Sequence, residues 1–144
     1  MSFSFKYKSV QLKSGGYIFR PLIPLIIGKE RINIFGMLDS GSDITIIPKE
    51  LAEVMKIEYG DENEVSGISG ATVKAREGKI SIQFGKGREI YNFEIPILVP
   101  EKEGLNLIIG RLGFFTQFKI TFLEAEKRIE FKKVHSPMQH SRFY

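Results

Sequence analysis

Phe35-Gly36-Met37-Leu38-Asp39-Ser40-Gly41-Ser42-Asp43-Ile44-Thr45-Ile46-Ile47 places one carboxylate, Asp39, between two apolar runs. Ile32, Ile34 and Leu38 read as a strand that ends at Asp39, Ser40-Gly41-Ser42 as a turn, and residues 44–47 as a buried run. An isolated Asp-Ser-Gly most simply forms an Asx turn, in which the Asp side chain bonds to backbone two residues on. The sharper reading is a catalytic carboxylate on a tight loop, where Gly41 permits close backbone approach and flanking hydroxyls fix the orientation of the acid. The tripeptide alone does not decide between them.

The flanking sequence supplies the frame. Residues 17–27 are apolar but interrupted by Pro21 and Pro24, which within sheets keep to edges or bulges. Gly28-Lys29-Glu30 is a turn, and Pro48 opens a short helix over Lys49–Met55. A polar stretch, 58–64, leads into Val65-Ser66-Gly67-Ile68-Ser69-Gly70, which reads as a hairpin tip. Residues 73–84 and 89–99 form two strands across Gly85-Lys86-Gly87, and 105–109 a short apolar strand. Positions 112, 114, 115 and 118 share one helical face, which predicts a second helix over 111–118. Residues 119–123 and 128–134 form a last hairpin. The fold class is all-β with one or two short helices. Residues 1–16 are set apart as an N-terminal segment, 17–134 as the domain, and 135–144 as a flexible basic tail.

Composition narrows the function. At 144 residues, 42% hydrophobic and 26% charged, the chain fits one globular domain and excludes a disordered class. Twenty Ile, twelve Phe, fourteen Gly and six Pro describe short strands broken by turns. No Cys is present, which removes thiol catalysis, Cys-ligated zinc and disulfides. The net charge of +4 is scattered apart from a cluster between Lys132 and Arg142, so it points to solubility and not to nucleic acid. No apolar run approaches the roughly 18 residues that span a membrane, and residues 1–10 lack a signal-peptide core. These features predict a soluble, cytoplasmic protein with no nucleic-acid or membrane partner. His135 and His140 read as a surface pair, and no metal site is expected.

Three segments taken together carry a resemblance. Apolar-Asp39-Ser40-Gly41-Ser42, then the glycine-rich tip 65–70, then Leu107-Ile108-Ile109-Gly110-Arg111 resemble the retropepsin-like aspartic proteases, in the right order over residues 22–133. The resemblance implies a closed retropepsin-like β-barrel, one lobe per chain, with a flap hairpin and no cofactor. It matches Asp39 to the catalytic Asp and Ser40 to a hydroxyl that bonds across a dimer axis. Gly41 and Ser42 complete the active-site loop, and Asp43 pairs with Arg111. Val65, Gly67, Ile68 and Gly70 match the flap, with Ile68 at its tip, and Asn106 and Ile108 match side chains that line substrate pockets. Viral members end shortly after the helix, whereas here a hairpin follows, as in cellular and prokaryotic members.

The chemistry asks for two carboxylates, one to take a proton from water and one to protonate the carbonyl oxygen. Like charges that close together cannot both ionise, so such a pair shares one proton. The chain has three Asp, at 39, 43 and 61, and a single Asp-Ser-Gly. The second carboxylate is therefore expected from Asp39 of a second copy on a two-fold axis. The reading is a homodimeric endopeptidase acting on polypeptides between apolar residues, with Ile44, Ile68 and Ile108 in its pockets. The Ser42 hydroxyl is expected to donate to the Asp39 pair. The alternative is a catalytically silent dimerisation or peptide-binding module on the same fold.

Overall fold

Alternation of apolar and polar residues carries most of the chain into strands. The computed structural model describes residues 1–68 and 71–135. In chain order the elements are β1 (Ser2–Lys6), β2 (Lys8–Gln11), β3 (Tyr17–Arg20), β4 (Leu22–Ile27), β5 (Ile32–Leu38), β6 (Thr45–Ile46) and α1 (Lys49–Met55). They continue with β7 (Glu62–Ile68), β8 (Ala71–Lys86), β9 (Glu89–Pro100), β10 (Ile108–Ile109), β11 (Phe118–Leu123) and β12 (Arg128–Lys133).

Six of these strands, in the order β4-β5-β10-β6-β9-β8, form a sheet that closes on itself where β4 meets β8 at Ile26–Gln83 and Ile27–Ile82. The result is the expected closed all-β barrel with one short α-helix. β7 extends β8 as an antiparallel hairpin whose register shifts between Val65 and Ile68. Pro24 is tolerated because neither neighbouring strand needs its N–H. The Leu38 N–H donates to the Pro21 carbonyl, so by alternation the Pro24 nitrogen faces away from β5, and β8 pairs only with Ile26 and Ile27 on that side. Pro48 precedes α1 with an extended ψ of 140°, and Lys56 ends the helix in the left-handed region.

The helix expected over 111–118 does not form. Only Phe115–Gln117 makes a 3-10 turn. Gly113 has φ +81°, which breaks right-handed continuity, and a Cβ there would lie 2.9 Å from Pro96 Cδ. The shared apolar face of 111–118 reflects burial of Phe114 and Phe118 and not helical winding.

The N-terminal segment 1–16 contributes to the fold. β1 pairs with β12, which pairs with β11, in a three-stranded antiparallel sheet, and β2 pairs with β3 in a separate ribbon. Phe3 of β1 joins Phe84, Phe114, Phe118 and Phe131 in an aromatic cluster with ring centroids 4.8–6.1 Å apart. Such spacings favour tilted and edge-to-face contacts. A second, smaller cluster of Ile46, Ala75 and Leu98 lies apart, with half-buried Ile44, Leu105 and Ile108 packed on it. His135 is exposed; the rest of the expected tail, 136–144, lies outside the described residues.

Candidate active site

β5 delivers Asp39 at the point where its ladder stops, and β10 runs parallel alongside, Ile109 opposite Leu38. Four hydrogen bonds then clamp the two distant segments together. The Asp39 N–H donates to the Ile109 carbonyl at 3.0 Å, Arg111 N–H to Ser42 at 2.9 Å, and Leu112 N–H to Asp43 at 2.8 Å. The Gly110 N–H donates to the fully buried Thr45 hydroxyl at 3.1 Å. Glycine is required at 110 by space, since a Cβ would lie 2.3 Å from the Ile44 carbonyl carbon and oxygen. Ile-Ile-Gly-Arg and Asp-Ser-Gly-Ser are thus two halves of one clamp.

The carboxylate is half-buried. The Gly41 N–H donates to Asp39 Oδ1 at 2.9 Å, and the Ser42 N–H donates to the Asp39 carbonyl at 3.2 Å. The Asx turn and the half-buried, open acid are therefore one and the same conformation. Asp39 Oδ2 has no protein partner among the described residues. A Cβ at Gly41 would crowd Asp39 Oδ1 at 3.2 Å, so glycine keeps the acid open. Ser40 is exposed at the tip of the loop. Arg111 and Asp43 form an ion pair on the outer side, both well exposed. Such a pair contributes roughly 0–1 kcal/mol, so its effect is on loop geometry more than on stability.

Ser42 departs from expectation. Its hydroxyl donates to the Ile44 carbonyl at 2.8 Å. A serine has one proton to donate, so in this arrangement it ties the loop to itself and does not reach the Asp39 carboxylate.

A groove of about 350 Å³ begins two residues before Asp39, at Met37. Leu22, Ile34 and Phe35 line it with Met37, and Arg20 and Asn106 are its polar members. Asn106 borders the groove, while Ile44 and Ile108 belong to the small half-buried cluster. Phe35 and Met37 were legible from strand alternation, because they share parity with Asp39 and so the same face. Arg20 carried no sequence signal. Of the flap residues, Val65, Gly67 and Ile68 lie on β7, and Gly70 lies outside the described residues. Among the described residues no three His, Cys, Asp or Glu side chains are grouped to hold a metal ion. No described helix is long and apolar enough to cross a membrane.

The model of the retroviral aspartyl protease family matches residues 19–122, which include the Asp39 loop, the β7–β8 hairpin and the Ile108–Arg111 clamp. The chain belongs to that family. A retropepsin-like aspartic protease from Rickettsia conorii superposes with a TM-score of 0.54 at 16% identity, covering 91% of each chain. EIAV protease complexed with the inhibitor HBY-793 superposes with a TM-score of 0.48 at 21% identity, covering 71% of this chain and 88% of that one. At 16% identity the likeness to the Rickettsia protein is one of fold. No curated protein matches the chain. β1, β2 and β12 fall outside the segment that the family model matches.

Proposed function

We propose that the chain is an aspartic endopeptidase that hydrolyses peptide bonds between apolar residues, acting as a homodimer with one Asp39 from each subunit. The observation that carries this is Asp39 itself, an accessible carboxylate with one oxygen held by Gly41 and the other open, on a loop fixed by four hydrogen bonds. Preorganisation of that kind suits a group that must meet a water and a carbonyl at fixed distance. With a single Asp-Ser-Gly per chain, the second carboxylate comes from the partner across a two-fold axis. One carboxylate takes a proton from the attacking water while the other, protonated, donates to the carbonyl oxygen. The exposed Ser40 hydroxyl is assigned the bond between the two loops. The apolar groove beside Met37 and the half-open Ile44 and Ile108 provide surface for bulky apolar side chains flanking the cut, and the β7–β8 hairpin serves as the flap.

Cleavage of an apolar peptide library tests this. Asp39→Asn is expected to lower kcat by about 10²–10⁴-fold or more while the dimer persists. Unchanged turnover in that variant overturns the assignment of Asp39. Peptide binding without cleavage by the unmodified protein instead supports the silent-module reading. A cleavage profile dominated by Lys or Asp beside the cut contradicts apolar selectivity.

A further inference from the structure

The β2–β3 ribbon brings two cations to the groove beside the active-site loop. Lys8 and Arg20 stand directly opposite each other in its ladder, so both side chains leave the same face. Two separate contacts show where that face points. Lys8 Nζ stands 3.9 Å from the centre of the Phe35 ring, and Arg20 lines the groove together with Phe35 and Met37. Tyr17 and Phe19, on the other face, are exposed. Like charges directly opposite destabilise a strand pair, yet neither cation forms an ion pair among the described residues. The described residues that line the groove include no carboxylate. The Phe35 ring attracts the Lys8 ammonium through its π face but supplies no oxygen to its three N–H donors. The rim of the groove is thus doubly positive and short of an acceptor.

We infer that Lys8 and Arg20 select polypeptide substrates that carry an Asp or Glu side chain about four residues from the cleaved bond. This rests on the proposed function, which takes the groove as part of the substrate path. Phe35 precedes Asp39 by four residues along β5 and shares its parity, so the two lie on one face about 13 Å apart. An extended peptide advances by the same rise of roughly 3.3–3.4 Å per residue, so the side chain four places from the cut is the one that reaches the cations. Met37 and Leu22 line the groove with them and ask for apolar neighbours nearer the cut. The favoured substrate is therefore apolar at the scissile bond and acidic further out. The two-fold axis of the proposed dimer repeats the rim at the other end of the cleft, so an acid is favoured on either side of the cut. Lys8 precedes the segment that the family model matches, which makes this selectivity a property of the added ribbon and not of the barrel.

Cleavage of a peptide library by the full chain tests this. Each peptide has an apolar pair at the cut, an amidated C-terminus, and Glu, Gln or Lys at one position further out. Glu in place of Gln at the fourth position is expected to raise kcat/KM about two- to fivefold, mainly through KM, as an exposed ion pair does. The advantage should vanish in about 1 M salt, where charges are screened beyond roughly 3 Å. Lys8→Glu is expected to invert the preference, favouring Lys over Glu at that same position, an exchange that a merely structural contact with Phe35 does not give. If that variant does not fold, Arg20→Gln carries the test and should bring the Glu-to-Gln ratio toward one. Equal kcat/KM for Glu and Gln at the fourth position overturns the inference and leaves the Asp39 dyad standing. An acid preference that survives both variants removes Lys8 and Arg20 as its source. A chain that cleaves no member of the library removes the proposed function and this selectivity together.

Discussion

Around Phe84, Phe114, Phe118 and Phe131 the rings are buried to 3% exposure or less, whereas around Ile46, Ala75 and Leu98 the neighbours Ile44, Leu105 and Ile108 remain half open. The first region is held by non-directional burial of large aromatic surface. The Asp39 end is held by few, directional contacts: four hydrogen bonds, a buried hydroxyl and a glycine whose place no other residue can take. Area sets stability at one end, and individual atoms set geometry at the other. Substitutions at the two ends are therefore expected to separate stability from catalysis.

The largest stability effect is expected at the aromatic end. Phe131→Ala should cost about 3–5 kcal/mol in denaturant unfolding, with kcat/KM per folded molecule unchanged; a comparable loss of kcat at full folding would break the separation. Thr45→Val comes next. It leaves the buried Gly110 N–H without its acceptor, which costs about 1–3 kcal/mol, and kcat should fall with it as the clamp loosens. A full-rate Thr45→Val enzyme would show that the main-chain bonds suffice. Ser42→Ala is the mildest, about 1 kcal/mol for the bond to the Ile44 carbonyl. Since the hydroxyl proton is directed at that carbonyl, the pH profiles of wild type and variant should superimpose. A shifted profile would mean that the hydroxyl turns toward Asp39 when the two subunits meet.

The parts legible in the sequence were those whose signal is local. Pro48 marked the start of α1, Gly85-Lys86-Gly87 the turn between β8 and β9, and apolar runs around Asp39 the loop itself. What misled was periodicity without its cause. The 111–118 segment buries Phe114 and Phe118 at helical spacing, yet Gly113 at positive φ and the amides of Arg111 and Leu112, bonded back to Ser42 and Asp43, leave room only for a 3-10 turn. Long-range partners were equally hidden. Nothing in Ser2–Lys6 states that it pairs with Arg128–Lys133, because register between strands so far apart is set by tertiary packing and not by local pattern. The Ser42 hydroxyl illustrates the same limit at atomic scale. Its sequence position beside the acid was legible, but the choice between two acceptors depends on where the Ile44 carbonyl points.

On the outer side of β1, Lys86 Nζ donates to the Ser4 carbonyl at 3.0 Å, and that contact bears on unwanted strand addition. A sheet with two receptive edges is a template for unlimited addition, each newcomer offering the next its own free side, and the outcome is a fibre. With a charged side chain laid across the β1 side, an incoming strand meets Lys86 where it would meet the Ser4 carbonyl. Lys86 thereby guards the three-stranded sheet against open-ended strand addition at that edge.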